Sequence, residues 1–446
     1  MSTETTYTPL GKRASVVTTD ASGAVIASFI STYDPVGRPT SVTAHYGTWT
    51  YGYDVDGRIT SAGLVSTDPD VSSTSIAYEW DAAGNRIVTT VDGVGEDATF
   101  NPMNEVTSSG AWSFTHDARG GMTSRSNGGS SASYTYDDQG RMSGRTGQDG
   151  EASHTYDAWG RRLTGALDGE SVSYTVDPSG AGHVVSIRGA DGALLLTCPR
   201  GQRVEGCYAA SDAPRYFVFD TQGNVAAVVS ASGEVLNRYA YTPFGVPVLH
   251  EQTVSNPFTW GGGMGVMRES DDLYFMRTRY YSASLGRFLT ADSRGLAGGD
   301  MNLYAYALGH PTGFADPTGT GPMDGLIGAL FGGGVDLAGN AGDGIDAGDV
   351  VSAGNSTLLG MTGRLLPPGI GGAAGIALNP DNYNDIGNGL LALRDPFHHR
   401  RSQLDEALCE IDGNCGDGFD EGGDGGSGTS GSYDPNEKTG PAGVGE

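Results

Sequence analysis

Two carboxylates, Asp292 and Asp316, stand in matching short contexts, DSRG and DPTG, with the aromatic block NLYAY between them and the arginine-rich run RTRYYSASLGRF ahead. Residues of these types can do acid–base work. Two carboxyl groups brought to contact distance cannot both stay ionised, so they titrate as a coupled pair, one charged and one neutral. The charged member can take a proton from water while the neutral one donates toward a carbonyl. The same residues have a plainer use, because Asp opens a four-residue turn by capping local amides and Gly closes it in a backbone region other residues avoid. Spacing alone is compatible with both.

For the acids to meet, a scaffold must fold the two turns toward one another, and the rest of the chain is repetitive in a way that supplies one. YDPVGRPTSV begins at Tyr33, YDVDGRITSA at Tyr53, WDAAGNRIVT at Trp80, HDARGGMTSR at His116, YDDQGRMSGR at Tyr136 and YDAWGRRLTG at Tyr156. Looser copies begin at Val176, Phe219 and Tyr241. Several copies follow one another at roughly 20 residues, the period of a repeated supersecondary unit. Residues ahead of each Asp alternate, as in SASYTYD, which is the period of a strand with one buried face. The DxxG then turns the chain, and RMSGR or RRLTG starts the return strand. One repeat is about one hairpin. A lone hairpin cannot bury its apolar face, so the units must stack edge to edge, with Tyr or Trp before the Asp forming an aromatic ladder and Arg after the Gly lying over a neighbouring ring. These Tyr and Arg residues therefore read as packing rather than as a ligand site.

The run RTRYYSASLGRF, then D…G, NLYAY, a Pro and DPTG, resembles the core domain that closes the repeats of RHS/YD-repeat proteins, the family of bacterial polymorphic toxins, toxin-complex shells and their teneurin relatives. The resemblance implies a mainly β fold, antiparallel YD hairpins spiralling into a shell, incomplete here, followed by a Gly-rich tail with a short helix. It implies a shell segment over 1–250, the core over 251–320, a variable tail over 321–411 and an acidic Gly/Ser-rich terminal segment over 412–446. In the family the paired motifs form an aspartyl autoprotease that cuts just after the second one. Asp292 and Asp316 fall on its dyad and Arg279 on the arginine that accompanies it, and the cut falls between Thr320 and Gly321. This chain departs from the pattern at Ser293, where the family has Pro, at Thr320, where it has an apolar residue, and at Ser282, where RYYS replaces RYYD. The implied partners are the chain's own tail as cargo and a missing N-terminal part or partner chain that completes the shell. The implied location is secreted or on a bacterial cell surface.

Composition narrows the alternatives. Lys and Arg total 26 against 53 acidic residues, a formal charge of -27, which repels phosphate backbones and makes nucleic acid an unsuitable partner. MSTETTYTPLGKR lacks the apolar segment of a signal peptide, and no run reaches the roughly 20 apolar residues of a membrane span. Repeats that begin almost at once after Met1 suit a fragment of a longer chain or a short paralogue. The four cysteines fall in two close pairs, Cys198 with Cys207 and Cys409 with Cys415, which fits small disulfide loops or incidental thiols.

Beyond Thr320 the sequence turns rich in Gly, Ala and Asp, and its apolar run from Leu326 is stopped by Asp336. Asp395 and Pro396 read as the start of an amphipathic helix through Leu404, Ala407, Leu408 and Ile411. His398 and His399 point in different directions on such a helix and have no second ligand pair, so no metal is expected there. No GxxxxGK[ST], GxSxG or HExxH occurs, and no cofactor is expected. Two other functions stay open: a non-catalytic surface module whose repeats bind a cell-surface partner or glycan, and an effector activity carried by the tail.

Overall fold

The computed structural model describes residues 1–324, apart from 168, 178–181, 202 and 210–212. The expectations for the tail, including Asp395, His398, His399, Cys409 and Cys415, lie outside the described residues. No helix among those described is long and apolar enough to cross a membrane, which says nothing of spans made by strands.

Fifteen strands, from Ser2–Tyr7 to Ala152–Ser153, form one antiparallel sheet in which each pairs with the next in chain order. Three four-stranded sheets follow in the same neighbour-to-neighbour manner, over Thr164–Leu167 to Leu194–Thr197, Arg215–Phe219 to Pro247–Gln252, and Met267–Arg268 to Arg287–Phe288. Phe314–Ala315 pairs with Met323–Asp324. The fold is mainly β and built of successive hairpins, as the alternation and the turn signals require.

Each YD repeat folds by the same local chemistry. In the copy at Tyr33, the Asp34 carboxylate accepts the amides of Val36 at 3.1 Å and Arg38 at 2.9 Å, and Gly37 donates to the Asp34 carbonyl at 3.0 Å. Gly37 has φ +85, a region that costs any residue with a Cβ. The sheet register slips by one residue at the aromatic ahead of the Asp, between Thr32 and Tyr33, Gly52 and Tyr53, Glu79 and Trp80, and Thr135 and Tyr136. A bulge recurring at one place in every unit increases the local twist each time, which bends the sheet progressively.

Successive units are joined by arginine and aromatic side chains. Arg38 donates to Asp34 at 2.6 Å and to the carbonyl of Asp54 in the next unit at 3.2 Å, while its guanidinium lies 4.9 Å from the Tyr53 ring. The Tyr53 hydroxyl donates back to the Pro39 carbonyl at 2.7 Å. Arg141 and Tyr156 repeat the arrangement, with 4.5 Å from guanidinium to ring and 2.7 Å from the Tyr156 hydroxyl to the Met142 carbonyl. The expected ladder is therefore one of rings alternating with guanidinium groups. The tyrosine hydroxyls reach backbone instead of water, so the rings can bury without stranding a polar atom.

Many repeat strands bury one face. Val25–Tyr33 buries Ala27, Phe29 and Ser31 and leaves Ile30 exposed. The stretch after Gln252 packs onto that face: Trp260, Tyr274, Tyr281, Phe288 and Tyr306 share a core with Trp49, Ile59, Leu64 and Tyr78. A second core joins Met122, Tyr134, Ile187 and Phe217 to Phe258, Leu273 and Tyr280. Backbone bonds fasten the same contact, Met122 N–H to the Leu289 carbonyl at 2.9 Å and the Tyr304 hydroxyl to the Gly120 carbonyl at 3.0 Å. Where the repeat pattern lapses, Val184–Gly189 and Leu194–Thr197 form a hairpin turning at the expected ADG. Cys198 and Cys207 are disulfide-bonded just beyond it.

Candidate active site

Leu273–Met276 and Arg279–Ser282 form a hairpin whose eight strand residues are all buried. Met276 pairs directly with Arg279, so the loop is the two residues Arg277 and Thr278. Such tight loops demand positive φ and usually employ Asn or Gly. Here Arg277 adopts φ +57. The hairpin delivers Arg279, 5% exposed, into the interior, where its guanidinium lies 3.6 Å from the centre of the Phe288 ring.

Both acids converge on that guanidinium. Arg279 Nη2 donates to Asp292 Oδ2 at 2.9 Å and to Asp316 Oδ2 at 3.2 Å. Its Nη1 donates to the Leu303 carbonyl at 2.9 Å, and its Nε to the Gly319 carbonyl. The NLYAY block explains how the first acid is placed, because the Leu303 carbonyl also accepts the Asp292 amide at 3.0 Å. Tyr306, at the end of that block, packs against Trp260, Tyr281 and Phe288.

Each DxxG element is a turn as well as part of the cluster. In DSRG, Asp292 Oδ1 accepts the Arg294 amide at 2.8 Å and the Asp292 carbonyl accepts the Gly295 amide at 3.0 Å. Ser293 is exposed, so a proline ring is not needed to hold the turn. In DPTG, Gly319 donates to the Asp316 carbonyl at 3.3 Å. Asp316 Oδ1 accepts the Thr320 amide at 3.1 Å and the Thr318 hydroxyl at 3.2 Å, and Oδ2 accepts the Gly321 amide at 3.0 Å. One carboxylate therefore grips the N–H of Thr320 and the N–H of the Thr320–Gly321 peptide itself. The Ser282 departure is offset nearby: its hydroxyl donates at 2.7 Å to Asp272, a carboxylate that also pairs with Arg125.

Asp316 is 1% exposed, and that burial raises its pKa above the ordinary carboxylate value. Arg279 and the two amides pull the other way without reversing the shift. Arg279 does bias Asp316 downward, but desolvation of a carboxylate with almost no contact with water outweighs one shared guanidinium. Arg279 is itself lowered from its ordinary value by burial and steadied by both acids.

One residue that the sequence reading did not flag, Gly298, shapes the site together with Gly321. A Cβ on Gly298 would come within 2.8 Å of Asp292 Oδ2 and 3.5 Å of the Thr320 carbonyl oxygen. One on Gly321, whose φ is +139, would meet the Gly298 carbonyl oxygen at 2.5 Å. The two backbones touch where only glycines fit. GLAGG gave no sign of this, since Gly-rich stretches ordinarily read as loop. Asp292 and Asp316 thus meet on Arg279, and Thr320 and Gly321 are held by Asp316.

Comparison with known proteins accords with this architecture. A family profile described as Teneurin YD-shell matches residues 21–308, a span that includes Arg279 and Asp292 and stops short of Asp316. The tRNA3(Ser)-specific nuclease WapA of Bacillus spizizenii is 28% identical over 55% of this chain and 11% of its own length. Toxin subunit YenC1 of Yersinia entomophaga is 29% identical over 25% of this chain and 12% of its own. The chain thus spans about a tenth of the curated relatives it matches. A solved Photorhabdus luminescens Tc holotoxin pore superposes with a TM-score of 0.51 at 16% identity, covering 74% of this chain and 18% of that one, which shows a shared fold. Repeats, hairpin order, terminal segment and profile agree: the chain belongs to the teneurin YD-shell family of RHS/YD-repeat proteins.

Proposed function

We propose that this chain is part of a toxin-delivery shell, secreted or displayed outside a bacterial cell, and that its terminal segment cuts the chain once between Thr320 and Gly321, separating the tail as cargo. The observation that carries the reading is the grip of Asp316 on the N–H of that peptide and on the Thr320 N–H before it, while Arg279 bridges Asp316 to Asp292. The toxin context rests on relatives described as toxin subunits and a toxin protein. Completion of the shell by further chain or by a second toxin component is part of the same reading.

The chemistry is hydrolysis. Asp292 takes a proton from water as the water oxygen bonds to the Thr320 carbonyl carbon. Asp316, whose pKa burial raises, gives its proton to the Gly321 nitrogen as the carbon–nitrogen bond breaks. One water is consumed, and a carboxylate at Thr320 and an amine at Gly321 result. Asp316 Oδ2 accepts the Gly321 N–H at 3.0 Å, which keeps that carboxyl beside the nitrogen that must be protonated as it leaves. Arg279 positions both carboxyl groups and the Gly319 carbonyl. Tethering makes attack intramolecular in effect, since the substrate bond needs no separate binding step.

The test is the purified chain. A fragment ending at Thr320 is expected from wild type, and its loss from both Asp292→Asn and Asp316→Asn. Persistence of the same fragment in both variants would remove the proposal.

A further inference from the structure

The tip of the Arg279 hairpin meets the second turn residue by residue. Arg277 Nη1 donates to the Pro317 carbonyl at 2.8 Å. The Thr278 hydroxyl donates to the Thr318 carbonyl at 2.7 Å and the Gly319 carbonyl at 3.0 Å, and the Thr278 amide reaches the Thr318 carbonyl at 3.3 Å. Arg279 Nε donates to the Gly319 carbonyl. Three consecutive residues thus hold three consecutive carbonyls, 277 on 317, 278 on 318 and 279 on 319. The carbonyl side of the turn is held by this loop, and its amide side beyond Gly319 by Asp316.

The loop is built for that contact at some expense. Arg277 sits at φ +57, where a non-glycine residue is uncommon and held only by its surroundings. Its guanidinium is kept aimed by the Met264 carbonyl at 2.6 Å and by His183 at 2.8 Å. The short Gly262–Met264 turn carrying that carbonyl is in turn fastened to the disulfide loop, since Val204 N–H donates to the Gly263 carbonyl at 3.2 Å and Cys207 closes the loop back onto Cys198. Burial, with Arg200 as a second cation nearby, lowers the Arg277 pKa to about 9, which leaves it charged at neutral pH.

The geometry points to Arg277 and Thr278 as positioning residues that set the register of the Asp316 turn, so that the Thr320–Gly321 peptide, and no neighbouring one, lies across the acids. This rests on the self-cleavage reading but has its own observable, the order of the Thr320 and Gly321 amides. A one-residue slip would put Thr320 rather than Gly321 on Asp316 Oδ2, and the wrong nitrogen would face the proton donor.

Two measurements on the full chain test it. Arg277→Met and Thr278→Val are expected to slow formation of the Thr320 fragment about tenfold each, with Arg277→Lys recovering to within about threefold of wild type. In an Asp292→Asn chain, which stays whole, the same substitutions are expected to speed amide hydrogen exchange at Thr320 and Gly321 at least tenfold, while Trp49 and Leu64 amides in the repeat sheet keep their rates. Raised exchange together with a wild-type chain that never yields the Thr320 fragment would support the clamp and remove the cleavage reading. Unchanged exchange at Thr320 and Gly321 in both variants overturns the clamp, as does an equal rise at Trp49 and Leu64, which would mark a general loss of structure.

Discussion

Asp316 has almost no contact with water, yet it faces a guanidinium and two amides that favour its charged form. Burial wins, so the folded chain holds the Asp316 proton more tightly than the unfolded chain does. For a carboxyl with a raised folded pKa, that stabilisation is full below the unfolded value near 3.8 and is lost as pH climbs through the folded value. The proton donor in cleavage is lost over the same limb. Fragment formation followed over time is therefore expected to be faster at about pH 5 than at about pH 8. A rate that climbs with pH throughout would take the acid role from Asp316. Gly321 gives a second prediction at this scale. Gly321→Ala puts a Cβ into the Gly298 carbonyl at a φ of +139, so the residue must move off Asp316. The expected result is cleavage slowed by roughly tenfold or more, given that strain of this kind costs on the order of 1–3 kcal/mol. Retained wild-type cleavage in that variant would show that the observed contact is not the reacting one.

At the scale of elements, much is legible in the amino-acid sequence itself, and the reasons are local. SASYTYDDQGRMSGR carries strand alternation, an Asx-capped turn and a positive-φ glycine in one line, so the hairpin follows from its residues. The arginine after the glycine is readable as a stacking group, whereas its pairing with the Asp of its own turn, 2.6 Å between Arg38 and Asp34, is not. Convergence of DSRG and DPTG is not readable from spacing, since both are ordinary turns by composition. What brings them together is the Arg279 guanidinium, which donates to both carboxylates, while Asp292 is placed by the Leu303 carbonyl, a backbone group with no sequence signature. The Arg277–Thr278 loop is equally hidden, because its φ violates the preference that sequence reading relies on. The repeat logic also predicts a cost. Arg141→Ala removes a 2.6 Å pair with Asp137 and the cover over Tyr156, and should lower unfolding free energy by about 1–2 kcal/mol in denaturant titration. Arg141→Lys should lose about half of that, because an ammonium cannot donate along a fork while lying flat on a ring. A value near zero for Arg141→Ala would make the arginine a bystander.

Across the whole of the described chain, sheet and terminal segment share two cores, so the acids rest on the repeats instead of on a separate folded unit. Cleavage and shell integrity should therefore fail together when the shared core is opened. Trp260 lies 5.2 Å from Tyr281 and 5.3 Å from Tyr306, between the hairpin that carries Arg279 and the block that places Asp292. Trp260→Ala is expected to cost about 3–5 kcal/mol and to abolish the fragment, although the tryptophan contacts neither acid. The central claim is that Asp292 and Asp316 cut the chain at one bond, and intact mass spectrometry of the freshly purified wild-type chain measures it directly. The account predicts one species ending at Thr320 and a second beginning at Gly321, both absent from the Asp316→Asn chain; a single full-length mass after prolonged incubation at mildly acid pH would contradict it.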